Sequence, residues 1–144
     1  MENNDTVRLL RECDSGVKMG MDSINQVLPS VRSEDMKSYL EHSHSAHEDL
    51  DRRIQSMLEE VGDDGKTPNP IVKGMSWMKT EMKLTMDKSD ATVAELMTDG
   101  CNMGVKSLNR YLNEYKAAEE QVKDIAKRLI NLEEKLAIDI RDYL

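Results

Sequence analysis

Apolar residues in this chain recur every three or four positions along four long segments, and that period constrains the fold more than any other feature. From about Asp5 to Leu28 the stripe is Val7, Leu10, Asp14, Val17, Met21, Ile24 and Leu28, with Asp5 as the expected N-cap and Pro29 as the stop. From about Ser33 to Val61 it is Met36, Leu40, Ser43, His47, Leu50, Ile54, Met57 and Val61, closed by Gly62. From about Asp90 to Lys116, N-capped by Ser89, it is Ala91, Ala94, Thr98, Cys101, Val105, Leu108, Leu112 and Tyr115. From about Ala118 to Tyr143 it is Val122, Ala126, Leu129, Glu133, Leu136, Ile140 and Tyr143. A turn is inferred near Tyr115–Ala118, because one unbroken rod could not fold back to bury its own seam. A shorter helix, about Ile71 to Met86, follows the turn-rich stretch 62–70. With no Phe, one Trp and four Tyr, the chain lacks the aromatic content expected of a β-sandwich or barrel.

An internal repeat relates the two halves. Gly16-x-x-Met19-Gly20-x-x-Ser23-Ile24-Asn25-x-x-Leu28 matches Gly100-x-x-Met103-Gly104-x-x-Ser107-Leu108-Asn109-x-x-Leu112. A weaker match pairs the stretch from His47 to Ile54 with that from Glu133 to Ile140. The expected architecture is a single all-α domain, 1–144. Helical hairpins 5–61 and 90–143 are related by a pseudo-two-fold axis and joined by a crossover, 62–89, that carries the short helix. Helices of this length run roughly 36–44 Å, enough for a four-helix bundle, and the single long crossover is the topology of ferritin-like folds.

Acidic residues outnumber basic ones 28 to 20, a formal charge of −8, which argues against a general nucleic-acid binder. The charge is uneven: residues 33–61 hold eight acids and three bases, whereas 71–88 hold four Lys and two acids. No apolar run reaches the length of a membrane span, and the stretch Met1–Thr6 lacks the pattern of a signal peptide. Cys13 and Cys101 are isolated, as in a chain whose thiols stay reduced, so a cytoplasmic setting is expected.

The stretches Lys18-Met19-Gly20, Asn69-Pro70, Met75 through Thr80, Cys101 through Tyr111 and Glu133-Glu134 resemble a family of uncharacterised bacterial ferritin-like proteins, distantly similar to rubrerythrins. The resemblance covers nearly the whole chain. It implies the bundle and no established activity. Di-iron bundles of that kind use a Glu on each of two helices and Glu-x-x-His on each of the other two. This chain has one Glu-x-x-His, Glu41-x-x-His44, and not the two that such a centre requires. It offers Asp14, the pair His44-x-x-His47, and Glu133, with Asp14 and His47 expected level with each other about 16–17 residues from the first turn, and Cys101 and Glu133 about 16 residues either side of the second. Four ligands suffice for one divalent ion such as zinc and not for an oxygen-activating pair. The preferred reading of His47 is instead a core histidine hydrogen-bonded to Asp14 or Glu133.

The equivalent glycines Gly16, Gly20, Gly100 and Gly104 are expected to allow close backbone approach or to seat a bulky side chain such as Trp77. The stripe Met75, Met78, Met82, Met86 reads first as core filler and second as a self-association face around Trp77. No phosphate loop, nucleophile elbow or metal-ribbon spacing occurs. The expectation is a non-catalytic interaction or structural protein with no cofactor, self-associating through Met75, Trp77, Met78 and Met82. The alternative is a divalent-metal-binding or storage protein.

Overall fold

Three polar side chains set where long helices begin. Asn3, Ser33 and Ser89 each hold extended backbone and accept a hydrogen bond from the amide three residues on, at Thr6, Met36 and Thr92. The computed structural model describes residues 3–144, the Ile71 side chain excepted, so Met1 and Glu2 of the N-terminal stretch lie outside it. Among the described residues it is all-α, with no strand. Helix α1 is Asn4–Val27, α2 Glu34–Val61, α3 Pro70–Met86, α4 Asp90–Glu114 and α5 Glu120–Ile140, with 3-10 turns at Leu28–Ser30 and Arg141–Tyr143. Asn3, not Asp5, caps α1; the Asp5 carboxylate instead accepts from the Ala117 amide at 3.0 Å. Among the described residues no helix is long and apolar enough to cross a membrane.

The four long helices pack as a bundle, α1 on α2 and α4, and α5 on α4 and α2. Polar clasps join the hairpins at both ends. At one end the Thr6 hydroxyl accepts from the Glu119 amide at 2.9 Å and Asn3 donates to the Ala117 carbonyl. At the other, the Asp90 carboxylate accepts from the Arg32 and Ser33 amides at 2.7 and 3.0 Å, and Ser33 meets the Tyr143 hydroxyl. Between the clasps the apolar core falls into two parts. One gathers Leu9, Leu10, Val17, Ile54, Ile125 and Leu129; the other gathers Ile24, Met36, Leu40, Val93, Leu136 and Ile140. The groups that separate them, His47 and Glu133, are polar.

After Gly62, whose left-handed φ of 67° ends α2, the loop is fastened onto α1. Arg11 grips Asp63 through two hydrogen bonds of 3.0 and 2.6 Å, and Lys66 reaches Glu12 at 2.6 Å. Buried Asp14 accepts from the Lys66 amide at 2.9 Å, from Gln55 at 2.8 Å and from Lys18. The chain then continues through α3 to α4. The structure overturns the expectation that the methionine stripe fills the core. Met75, Met78, Met82 and Met86 are 65–82% exposed, and Leu84 is the buried apolar side chain of α3. The helix is held by Leu84 and by edge contacts, Gln26 to the Trp77 carbonyl at 2.9 Å and Lys73 to Asp22 at 2.7 Å.

Gly65 is fixed by both backbone and space: its φ is +82° and a Cβ there would lie 2.3 Å from Asp14 Oδ2. Gly62 shares the left-handed φ but has open space around it. Gly65→Ala should therefore cost about 1–3 kcal/mol of stability and Gly62→Ala about 1 kcal/mol, as read by urea denaturation. Equal losses would show that Asp14 does not hold the loop against α1.

Candidate functional site: a buried imidazole–carboxylate pair beneath a cavity

His47 is fully buried on α2 and Glu133 is 9% exposed on α5. His47 Nε2 lies 2.8 Å from Glu133 Oε1, and Nδ1 lies 2.7 Å from the Ser43 carbonyl one turn back. A carbonyl oxygen only accepts, so Nδ1 carries a proton; the ring can then donate to the ionised Glu133 only if Nε2 carries one too. Burial pulls the imidazole pKa down, but the Glu133 hydrogen bond and charge and the Ser43 carbonyl outweigh it, so the pKa is raised. The pair is read as imidazolium and carboxylate, each desolvated and each satisfied by the other.

Cys101 on α4 faces the same carboxylate. Its thiol is pushed up by burial and by the charge and hydrogen bond of Glu133, so it stays a neutral donor. Cys13, also unpaired and buried, is pushed up to about 12 by burial and the neighbouring Glu12 and Asp14. Neither thiol is a nucleophile in this setting.

The repeated glycines frame the pair unequally. A Cβ on Gly20 would meet His47 Nε2 at 2.7 Å and Glu133 Oε1 at 3.3 Å, whereas one on Gly104 would meet the Glu133 side chain at an ordinary 3.6 Å. Gly16 would touch Leu129 at 3.4 Å, and Gly100 has nothing within 4 Å. The side chain seated against Gly20 is thus His47. Trp77, expected as a candidate, is 46% exposed on α3.

Above Glu133 lies a cavity of about 450 Å³ between α1, α3 and α4. Its walls are the two copies of the repeat: Gly16, Met19, Gly20 and Ser23 on α1, with Gly100, Met103, Gly104 and Ser107 on α4. The repeat gave the signal for this site in the sequence, since small residues at matched positions on two packed helices leave a trough between them.

The four residues expected to share a metal do not converge. His47 and Glu133 are together. Asp14 is level with Gln55, not His47, and lies about 9 Å along α1 from Gly20, which does face His47. The cause is the extra 3-10 turn at Leu28–Ser30, which moves the centre of the hairpin from Pro29 to near residue 34. His44 Nδ1 pairs with Glu48 at 3.0 Å, and its buried Nε2 has no hydrogen-bond partner. Among the described residues no group of three or more His, Cys, Asp or Glu is placed to hold a metal ion.

The class of protein defined here is an all-α helical bundle with a polar waist. Its fold is similar to a crystal structure of a DUF305 fragment from Deinococcus radiodurans, with a TM-score of 0.75 over 98% of this chain and 95% of that one, at 12% sequence identity. No family model and no curated protein matches the chain. The similarity shows the fold alone. It corrects the resemblance drawn from the sequence, because the DUF305 fragment is of a different family from the ferritin-like proteins and rubrerythrins and nothing else supports that assignment.

Two outcomes test this geometry. Gly20→Ala should destabilise by about 1–3 kcal/mol through its clash with His47. Gly104→Ala should be near neutral, and Gly100→Ala should stabilise by about 0.5–1 kcal/mol through helix propensity. Urea denaturation of the three variants checks the order. A raised folded-state pKa places the His47 contribution in full below the unfolded value near 6.5 and removes it as pH rises through the folded value. The melting temperature of the wild type should therefore exceed that of His47→Gln most at pH 6, with the gap narrowing toward pH 9. A gap that widens with pH would mean that His47 is neutral in the folded protein.

Proposed function

We propose that this is a non-catalytic interaction protein that self-associates through the outer face of α3. One observation carries the reading: of the ten large apolar side chains that stand exposed among the described residues, six, Val72, Met75, Trp77, Met78, Met82 and Met86, are on this one helix. At 3.6 residues per turn Met75, Met78, Met82 and Met86 share one face, a stripe about 16 Å long, with Trp77 about 100° round the helix from Met78. Met side chains adapt to a partner's shape.

The occupant is a second copy of this chain. The 71–88 segment is basic, with four Lys and two acids, whereas the whole chain is at −8, so a second copy is acidic relative to it. A two-fold arrangement would place the same patch on both sides of the contact. A non-catalytic role is supported by the saturation of the only buried imidazole and by two thiols held protonated. Unpaired buried cysteines also favour a reducing compartment such as the cytoplasm. The alternative of a divalent-metal store has no specific observation in its favour.

Sedimentation velocity at rising protein concentration should show a dimer. The double variant Met78→Glu/Met82→Glu should weaken dimerisation at least about tenfold without loss of helical signal, because both side chains are solvent-exposed in the single chain. A wild type that stays monomeric at millimolar concentration would defeat the reading.

A further inference from the structure

The cavity beneath α3 is independent of the helix's outer face. Its lining runs along α1 from Glu12 to Val27 and along α4 from Leu96 to Tyr111, about 22 Å in each case. That length matches an extended alkyl chain of about sixteen carbons, and the cavity holds about 450 Å³ along it. Ile24, Leu108, Leu136 and the repeat's glycines and methionines make most of the exposed wall apolar, with Ser23 and Ser107 among them. At the base, Glu133 Oε1 is bonded to His47.

The rim differs from the walls. Lys79 and Lys83 project from α3 at the cavity and have no ion-pair partner among the described residues, whereas Lys73 is held by Asp22 and Glu12 by Lys66. Asp99 is an unpaired acid there, so the uncommitted charge at the mouth is net positive. A long, largely apolar trough with a cationic mouth is complementary to an amphiphile with an anionic head.

We propose that this cavity binds a free long-chain alkyl carboxylate. Its chain lies along the trough between the two repeats and its carboxylate sits at Lys79 and Lys83. α3 gives access, because among the described residues it is fastened by one buried apolar side chain, Leu84, and by edge contacts.

Isothermal titration calorimetry with hexadecanoate, kept below its aggregation concentration, should show one site per chain. Hexadecanol and hexadecyltrimethylammonium should each bind at least about tenfold more weakly. Gly100→Leu has room at its Cβ and should place a side chain in the trough, abolishing binding while the fold is retained. Lys79→Ala/Lys83→Ala, an alternative should Gly100→Leu misfold, should lose at least about tenfold. Met78→Glu/Met82→Glu, which breaks the outer face, should still bind hexadecanoate at one site per chain, and this separates the two readings. Absence of wild-type binding, equal affinity for all three amphiphiles, or binding lost on the outer-face variant would each overturn the proposal. So would attachment to vesicles of a diacyl anionic phospholipid in place of binding to free hexadecanoate, which would assign the lysines to a membrane surface.

Discussion

The buried His47–Glu133 pair is the constraint around which the rest of the bundle is arranged. Two charges taken out of water are tolerable only if each meets a partner in good geometry, and here the pairing spans α2 and α5 at 2.8 Å. The pair interrupts the apolar core, which is why the interior falls into two clusters rather than one. It also dictates what stands opposite. At position 20 the backbone of α1 passes so close to the imidazole that no side chain fits, which accounts for a glycine in mid-helix despite a cost of about 0.5–1 kcal/mol. Sliding α2 against α5 by one turn would leave both charges unpaired in the interior, so the pair holds those two helices in register.

The repeat has a physical reading in these terms. Both halves carry Gly and Ser at matched positions, and both copies line the same trough, yet only Gly20 is sterically required to be glycine. At Gly104 a methyl would make ordinary contact with Glu133, and at Gly100 it would meet open space. Matched sequence thus produces matched walls without matched necessity. The asymmetry comes from the polar pair: the first hairpin contributes a large ring from α2, and the second contributes a flexible carboxylate from α5.

The helices were legible because their start signals are local. Ser33 and Ser89 cap as their sequences indicate, and the α5 seam from Val122 to Ile140 is buried throughout. The partners of the mid-bundle polar residues were legible only in part. The level of Asp14 depends on the turn between α1 and α2, and a single 3-10 turn, which spacing does not reveal, moves it away from His47. A buried carboxylate read as a ligand is instead the anchor of the 62–69 loop, held by Lys18, Gln55 and the Lys66 amide. The α3 stripe misled for another reason. Spacing of three and four shows that side chains share a face and says nothing of whether another element covers it. The resemblance to ferritin-like proteins drew on the same bundle pattern, which at 12% identity to a DUF305 fragment is shared well beyond one family.

The two faces of α3 are physically connected even though each stands on its own observations. The helix is bound to the bundle by little apolar area, so its position is set by a small free energy. An occupant in the trough would add contacts between α3 and the repeat walls and restrict the helix. Ordering already achieved by one partner is ordering that the next need not supply, so a ligand beneath α3 and a second copy above it would each favour the other. That coupling requires no movement of the four long helices, whose clasps at both ends and paired charges at the waist hold them independently of α3.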